Sequence, residues 1–455
     1  MVWSRALALA CCLTAAAGCR HVAPQPLSPE ESSARLAAQT LADPGLRDFL
    51  AQQSERAAEP WPQARWDLRD LTLAALYFSP ELRVARATSG VAAAHVGAEA
   101  QRPNPTLSFL PQRVANPGSA SPWLAAVQLD FPIETAGKRA RRKAAAEARA
   151  SAADLAVRTE AWRVRSEVYE GVVGQLAADL RRDALARTVE LRAQRLALLE
   201  ERRMVGAIAE AIVAPERLAL AQANADLAAA ERERITARAA LAAAVGVPAS
   251  ALDAVAIAFD LDAPPADPED LAGASARRAA LLGRSDVLAL LAEYDAAEQD
   301  LRLELAKQYP DLHLGPGYEY DQGEDKWGLG VTLDLPLLSQ NGGGIDEALA
   351  RRGEVAARFE ALQAQVIREV DAASAAASGA RREQQIAQGV LEQARERSAL
   401  AERSLALGAV DRVAALDAEL ELQLATAVLI DAEERLHRAV ARLERAVESA
   451  PERES

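Results

Sequence analysis

From Trp123 to Phe131 the chain alternates. Trp123, Ala125, Val127, Leu129 and Phe131 define one face, and Leu124, Ala126, Gln128 and Asp130 the other. The stretch from Trp327 to Leu335 does the same, setting Trp327, Leu329, Val331, Leu333 and Leu335 against Gly328, Gly330, Thr332 and Asp334. A period of two held over such a length marks a strand, not a helix. Upstream of the second stretch, LHLGPGYEY puts Leu312, Leu314, Tyr318 and Tyr320 on one side and His313 and Glu319 on the other. Pro316 makes this strand the least regular. Elsewhere the period is three and four, as in LALAQANADLAAAERERITARAALAAAVG, where abundant Ala lets helices approach closely. The two patterns meet in FPIETAGKRARRKAAAEA, where a strand runs directly into a strong helix former.

The pattern is written twice. QLDFP (Gln128 to Pro132) recurs as TLDLP (Thr332 to Pro336), RPNPTLSF has a counterpart in QYPDLHLG, and MVGAIAE around Gly206 has one in LALGAVD around Gly408. All three pairs share an offset of roughly 200 residues and keep their order, the signature of an internal duplication. Residues 1–18 read as a signal peptide and 19–65 as a lipid-anchored N-terminal tether. The first repeat spans 66–245, a linker 246–267, the second repeat 268–448 and a short tail 449–455. Each repeat begins with a helix (about 67–101 and 268–308). Two strands follow, at about 105–113 and 123–132, then at about 311–320 and 327–336. A helix of about 70 residues comes next, and a shorter one closes the repeat beyond Gly206 or Gly408. At 1.5 Å per residue the long helix spans roughly 100 Å, and the two shorter helices of its repeat cover it when stacked end to end. Without the strands, an elongated helical bundle would suffice.

Composition sharpens this. Aromatics are 4% of residues and charged residues 26%, which suits long helices with narrow apolar seams. The formal net charge of -14 argues against nucleic acid as a partner. The basic run Lys138 to Lys143 is a solvated helix face or, beside a membrane, a contact for anionic headgroups. Cys11, Cys12 and Cys19 are the only cysteines, so the body of the chain has neither a disulfide nor a cysteine-bound metal. The start has Arg5, an apolar run from Ala6 and then AAGC (Ala16 to Cys19), which predicts secretion and lipidation of Cys19; cleavage by an ordinary signal peptidase near this point is the alternative. No later apolar run is long enough for a transmembrane helix, so any crossing of a bilayer must be made by strands.

Phe109, Trp123, Phe131, Tyr309, Tyr318, Tyr320 and Trp327 fall within 105–132 and 309–336, a local enrichment of about threefold that fits aromatic girdles at membrane interfaces. Trp123, Val127, Leu129, Trp327, Leu329, Val331 and Leu333 are the expected lipid-facing residues. A soluble four-stranded sheet packed on helices is the competing reading. Four strands cannot close a barrel alone, and open edges are not tolerated in lipid, so several copies must share one barrel.

RPNPTLSF and FPIETAGKRARRKAAAEA, with the duplication over about 66–448, resemble the TolC-type outer-membrane factors, and most of all their cobalt–zinc–cadmium resistance (CzcC) branch. Ala136 stands where glycine is commoner in that branch. The resemblance implies a mainly α chain with a small transmembrane β part. It implies a homotrimer whose 12-stranded β-barrel, four strands per chain, continues into a long periplasmic α-helical barrel. It also implies the exit duct of a tripartite efflux pump for heavy-metal cations or small toxic compounds, with a periplasmic adaptor (membrane fusion protein) and an inner-membrane transporter of the resistance-nodulation-division type. Val205, Gly206 and Ala207, with Leu407, Gly408 and Ala409, match the family's adaptor-docking helix tips. Asp411, Arg412 and Asp417 lie where it narrows its periplasmic entrance, with Glu210 and Glu216 at the related turn of the first repeat. A channel for type I protein secretion and a lipid-tethered periplasmic coiled-coil scaffold are the alternatives.

The chain has no phosphate-binding, zinc-protease or nucleophile-elbow motif, and His21, His95, His313 and His437 are scattered singly. These absences predict no enzymatic role, metal site or cofactor.

Overall fold

A computed structural model describes residues 21–53, 61–115, 121–253, 255–265, 267 and 273–448. Cys19, the signal segment and the C-terminal tail lie outside the described residues. Two short helices open the chain, α1 (Pro29–Ala37) and α2 (Pro44–Gln53), followed by strand β1 (Arg65–Asp67). The first repeat then runs α3 (Leu68–Phe78), α4 (Pro80–Glu99), β2 (Thr106–Arg113), β3 (Trp123–Ile133), α5 (Lys138–Met204) and α6 (Glu210–Val245). After the short strand β4 (Ala256–Ala258), the second repeat follows with α7 (Ala274–Gly283), α8 (Ser285–Ala306), β5 (Leu312–Asp321), β6 (Glu324–Leu333), α9 (Gly342–Ala406) and α10 (Arg412–Val447). The long helices hold 67 and 65 residues and each closing helix 36.

Local chemistry sets these boundaries. The single helix expected at 67–101 is two. Pro80 has no N–H to donate, so the chain restarts there, with Ser79 capping the N–H of Leu82 at 3.1 Å. The second-repeat counterpart breaks at Arg284, whose backbone is extended. Between β3 and α5, Ala136 (φ 53°) and Gly137 (φ 74°) both adopt left-handed conformations, and the helix begins at Lys138. The strand expected at 327–336 spans Glu324–Leu333. Gln322 (φ 53°) and Gly323 (φ 111°) form a two-residue turn with both residues left-handed, a geometry that matches hairpin twist, and it starts β6 earlier.

The helices form a wall rather than a globule. Beside the sheet its order is α4, α5, α8, α9; away from the sheet it is α6, α5, α10, α9. Thus α4 and α6 cover one flank of α5, while α8 and α10 fill the seam between α5 and α9. Midway along, Trp66, Leu71, Phe78, Val168 and Leu241 are buried in one core that also takes Leu41, Leu46 and Leu50. The region expected as a tether therefore joins the fold from Leu41 onward. The linker docks too: β4 pairs in parallel with β1, and Leu261 is buried with Tyr169, Val173 and Ile430.

Candidate functional site

The four long strands form one sheet in the order β2, β3, β5, β6, every pair antiparallel. Directly opposed residues share a face, so the register decides what each face carries. One row reads Phe109, Val127, Tyr318, Trp327; next to it Leu107 opposes Leu129 and Pro316 opposes Leu329. Beyond these, Phe131 opposes Leu314, which opposes Val331, and Ile133 opposes Leu312, which opposes Leu333. Every predicted lipid-facing residue (Trp123, Val127, Leu129, Trp327, Leu329, Val331 and Leu333) falls on this one face. Trp327 is 82% exposed, Leu329 68% and Val331 56%, so no helix of the same chain covers them. Tyr318 and Trp327 lie with ring centroids 4.9 Å apart.

The opposite face is mostly polar or bare, with Leu110, Leu124 and Ala126 its apolar residues toward the strand ends away from the helices. It carries Ser108, Gln128, Gly317 and Gly328 in one row, with Asp130, His313, Glu319, Lys326 and Thr332 around them. His313 Nδ1 lies 2.9 Å from an Asp130 carboxylate oxygen. The edge strands β2 and β6 each have one partner. Within the described residues no helix is long and apolar enough to cross a membrane.

The strand-to-helix passage is fixed by hydrogen bonds from the other repeat. Thr135 donates its backbone N–H to Asp311 at 2.9 Å and its hydroxyl to the Pro310 carbonyl at 2.6 Å. Buried Lys138 donates to the Tyr309 carbonyl and to Asp311, each at 2.7 Å. A charged donor held by two partners in this way makes a stiff hinge between sheet and helix.

At the far end lie two nearly identical turns. Gly206 (φ 75°) donates to the Arg203 carbonyl at 2.9 Å and Ala207 to that of Arg202 at 2.8 Å. Gly408 (φ 73°) and Ala409 repeat this with Leu405 and Ser404, at 2.9 and 2.8 Å. These are Schellman ends, which need a left-handed residue. Val205 and Leu407 are 76% and 85% exposed beside them, so each tip presents an apolar side chain on a rigid loop.

Of the proposed gate residues, Asp411 caps α10 through the N–H of Ala414 at 2.9 Å and pairs with Arg202 of α5 at 2.8 Å. That N–H and the guanidinium hold its carboxyl below the usual aspartate range. Asp417 lies 2.7 Å from Arg195 Nε, and the same guanidinium also holds Glu216, which is buried. Arg412 reaches Gln194 at 3.4 Å and Glu419 at 3.9 Å. Glu210 pairs with Arg203 and Arg217. Asp411, Arg412, Asp417 and Glu216 thus tie α10 and α6 to α5, joining the two repeats at the tip.

Sequence reasoning missed a buried polar group beneath the linker. His437 takes a hydrogen bond from Tyr169 or gives one to it at 2.8 Å, and its other nitrogen lies 2.9 Å from the Leu261 carbonyl. A carbonyl only accepts, so Nε2 carries the proton and Nδ1 accepts from the Tyr169 hydroxyl. One turn earlier, Glu433 is 4% exposed; burial and the neighbouring Asp262 and Asp260 push its carboxyl up to about 7. The placement of Glu433 and His437, four residues apart, on the mainly apolar face of α10 was the available signal. No group of three or more His, Cys, Asp or Glu placed to hold a metal ion occurs among the described residues.

The chain matches the family model described as "Outer membrane efflux protein" over residues 72–247 and 276–448, one match to each repeat, and it belongs to that family. Its fold is shared by solved outer-membrane channels. VceC from Vibrio cholerae is 20% identical with a TM-score of 0.66, over 84% of this chain and 96% of that one. The open state of MtrE from Neisseria gonorrhoeae is 19% identical with a TM-score of 0.65, over 84% and 89%. CusC, solved in conformations that accompany transmembrane channel formation, is 18% identical with a TM-score of 0.66, over 94% and 100%. None of the curated proteins compared matches the chain.

Proposed function

We propose that three copies of the chain form a passive outer-membrane efflux duct. The observation that carries this reading is the sheet: one continuous apolar, exposed face, one mostly polar or glycine-lined face, and two unpaired edges, joined to a helical wall with both flanks open. Pairing β6 of one copy with β2 of the next closes twelve strands and removes the edges that lipid does not tolerate. The same rotation sets α9 of one copy against α4 and α6 of its neighbour, covering Leu349 and Ile386 on one flank and Val84, Ile212 and Ile235 on the other. The wall, roughly 100 Å long, then encloses a periplasmic conduit.

In this reading the tips at Val205–Ala207 and Leu407–Ala409 receive the hairpins of a periplasmic adaptor, which links the duct to an inner-membrane transporter of the resistance-nodulation-division type. Asp411, Arg412 and Asp417 stand at the entrance, and their pairs with Arg202, Gln194 and Arg195 hold the wall there. Cys19 carries the lipid anchor. The cargo is heavy-metal cations or small toxic compounds, supported by the likeness of RPNPTLSF and FPIETAGKRARRKAAAEA to the metal-efflux branch. Conductance in planar bilayers tests the duct: purified protein produces discrete channel steps if the reading holds, and an inert protein that leaves the bilayer sealed refutes it.

A further inference from the structure

The basic run at the sheet–helix junction is not used uniformly. Lys138 is buried on Asp311, and Arg142 is paired with Glu134 and, at 3.2 Å, with Glu99. Arg139 and Lys143, one turn apart on α5, instead line a hollow of about 880 Å³ together with Arg102 from the α4–β2 connection. Arg139 spends only its Nε, donating to the Ala100 carbonyl at 2.7 Å, which leaves the fork of its guanidinium open to the hollow. Lys143 meets Glu147 at 2.8 Å in an exposed pair, a weak competitor. The one carboxylate in the lining, Glu134, is already neutralised by Arg142. The rest of the wall includes Phe131, Ile133 and Leu314, from the helix-proximal end of the sheet's apolar face. Three cations therefore sit where the apolar band ends, on the side from which the long helices depart.

We propose that this hollow binds the headgroup of an anionic phospholipid of the periplasmic leaflet, with acyl chains lying on Phe131, Ile133 and Leu314. The proposal rests on the membrane-spanning reading above. Charge complementarity and continuity with the apolar face identify the ligand: a phosphate diester meets Arg102, Arg139 and Lys143 at the depth where its chains meet the strand ends. Three copies give three sites per trimer, a ring that would fix the height of the barrel in the bilayer.

Native mass spectrometry of the detergent-purified trimer with added phosphatidylglycerol or phosphatidylcholine tests it. Phosphatidylglycerol should remain bound at up to three per trimer while phosphatidylcholine is lost. Each basic residue near a headgroup is worth about fivefold in affinity, so Arg102→Gln/Arg139→Gln/Lys143→Gln should weaken binding on the order of a hundredfold with the trimer intact. Lys143→Gln alone should weaken it about fivefold, a readout that survives if the triple variant does not assemble. Arg351→Gln, which breaks an exposed pair with Glu347 on α9, should change nothing. Equal retention of the two lipids, undiminished binding by the variants, or displacement by inorganic phosphate overturns the lipid site. A wild-type chain that never forms a membrane-extracted trimer overturns the duct itself, and the two failures are distinguishable.

Discussion

Substituting β6 by parity separates a lipid-facing strand from a soluble one. Leu329 and Val331 lie on the exposed apolar face near the middle of a 10-residue strand, and Gly328 and Gly330 alternate with them on the opposite face. Ten residues at about 3.4 Å each, tilted by some 45°, rise roughly 24 Å, so positions 329 and 331 sit near the bilayer midplane. An arginine there costs about 2–4 kcal/mol against lipid. Leu329→Arg with Val331→Arg therefore destabilises a trimer, carrying six such side chains, by roughly 12–24 kcal/mol, comparable to or above the roughly 5–15 kcal/mol stability of an ordinary domain. Gly328→Arg faces the aqueous interior, and a Cβ built there meets nothing within 4 Å, so its lipid cost is near zero. The assay is the amount of trimer in the outer-membrane fraction on unheated gels. The double variant should lose it and Gly328→Arg should keep it. Normal trimers from the double variant, or their loss from Gly328→Arg alone, would refute the assignment of the two faces.

Three smaller perturbations probe the rest of the molecule. Gly206→Ala and Gly408→Ala force alanine into the left-handed region at a cost of about 1 kcal/mol each, so adaptor binding should weaken in a pull-down while trimer yield holds. Asp411→Ala removes a helix cap worth about 0.5–2 kcal/mol together with the Arg202 pair, and should raise the open-channel fraction in bilayers. Because the Asp411 carboxyl titrates below its usual range, its contribution is complete at neutral pH and fades only in acid, so acidification below that range should mimic the variant. Glu433 has the opposite sign. Its folded value of about 7 lies above the ordinary 4.5, so the folded state holds a proton that the unfolded chain has released, and stability declines as pH rises between these values. Thermal melts at pH 5 and pH 8 should differ for the wild type and converge for Glu433→Gln.

Periodicity reveals most of the architecture because the repeating physics is local. Alternation at 123–131 and 327–335 identified the strands, and the faces read from it agree with the register across all four. Helix lengths emerged nearly complete because Gly206 and Gly408 end them through a left-handed turn that only a few residue types accept. What stayed hidden depends on partners distant in sequence. The early start of β6 follows from the Gln322–Gly323 turn and from Lys326 pairing with Asp321 at 2.6 Å, which makes a charged segment a good strand end. The β1–β4 pair and the burial of Leu261 on His437 join segments roughly 180 residues apart, and no local pattern announces them. At the tips the acidic residues were visible, but their arginine partners on α5, Arg195 and Arg202, were one exposed charge among many until the fold brought them together.

The central claim is that copies of this chain share one barrel, and the mass of the oligomer released from outer membranes tests it most directly. Detergent should be required for extraction and should yield a trimer of the 48.4 kDa chain, less whatever leader is removed. Release by a salt wash without detergent, as a monomer or dimer, would contradict the account and favour a periplasmic scaffold.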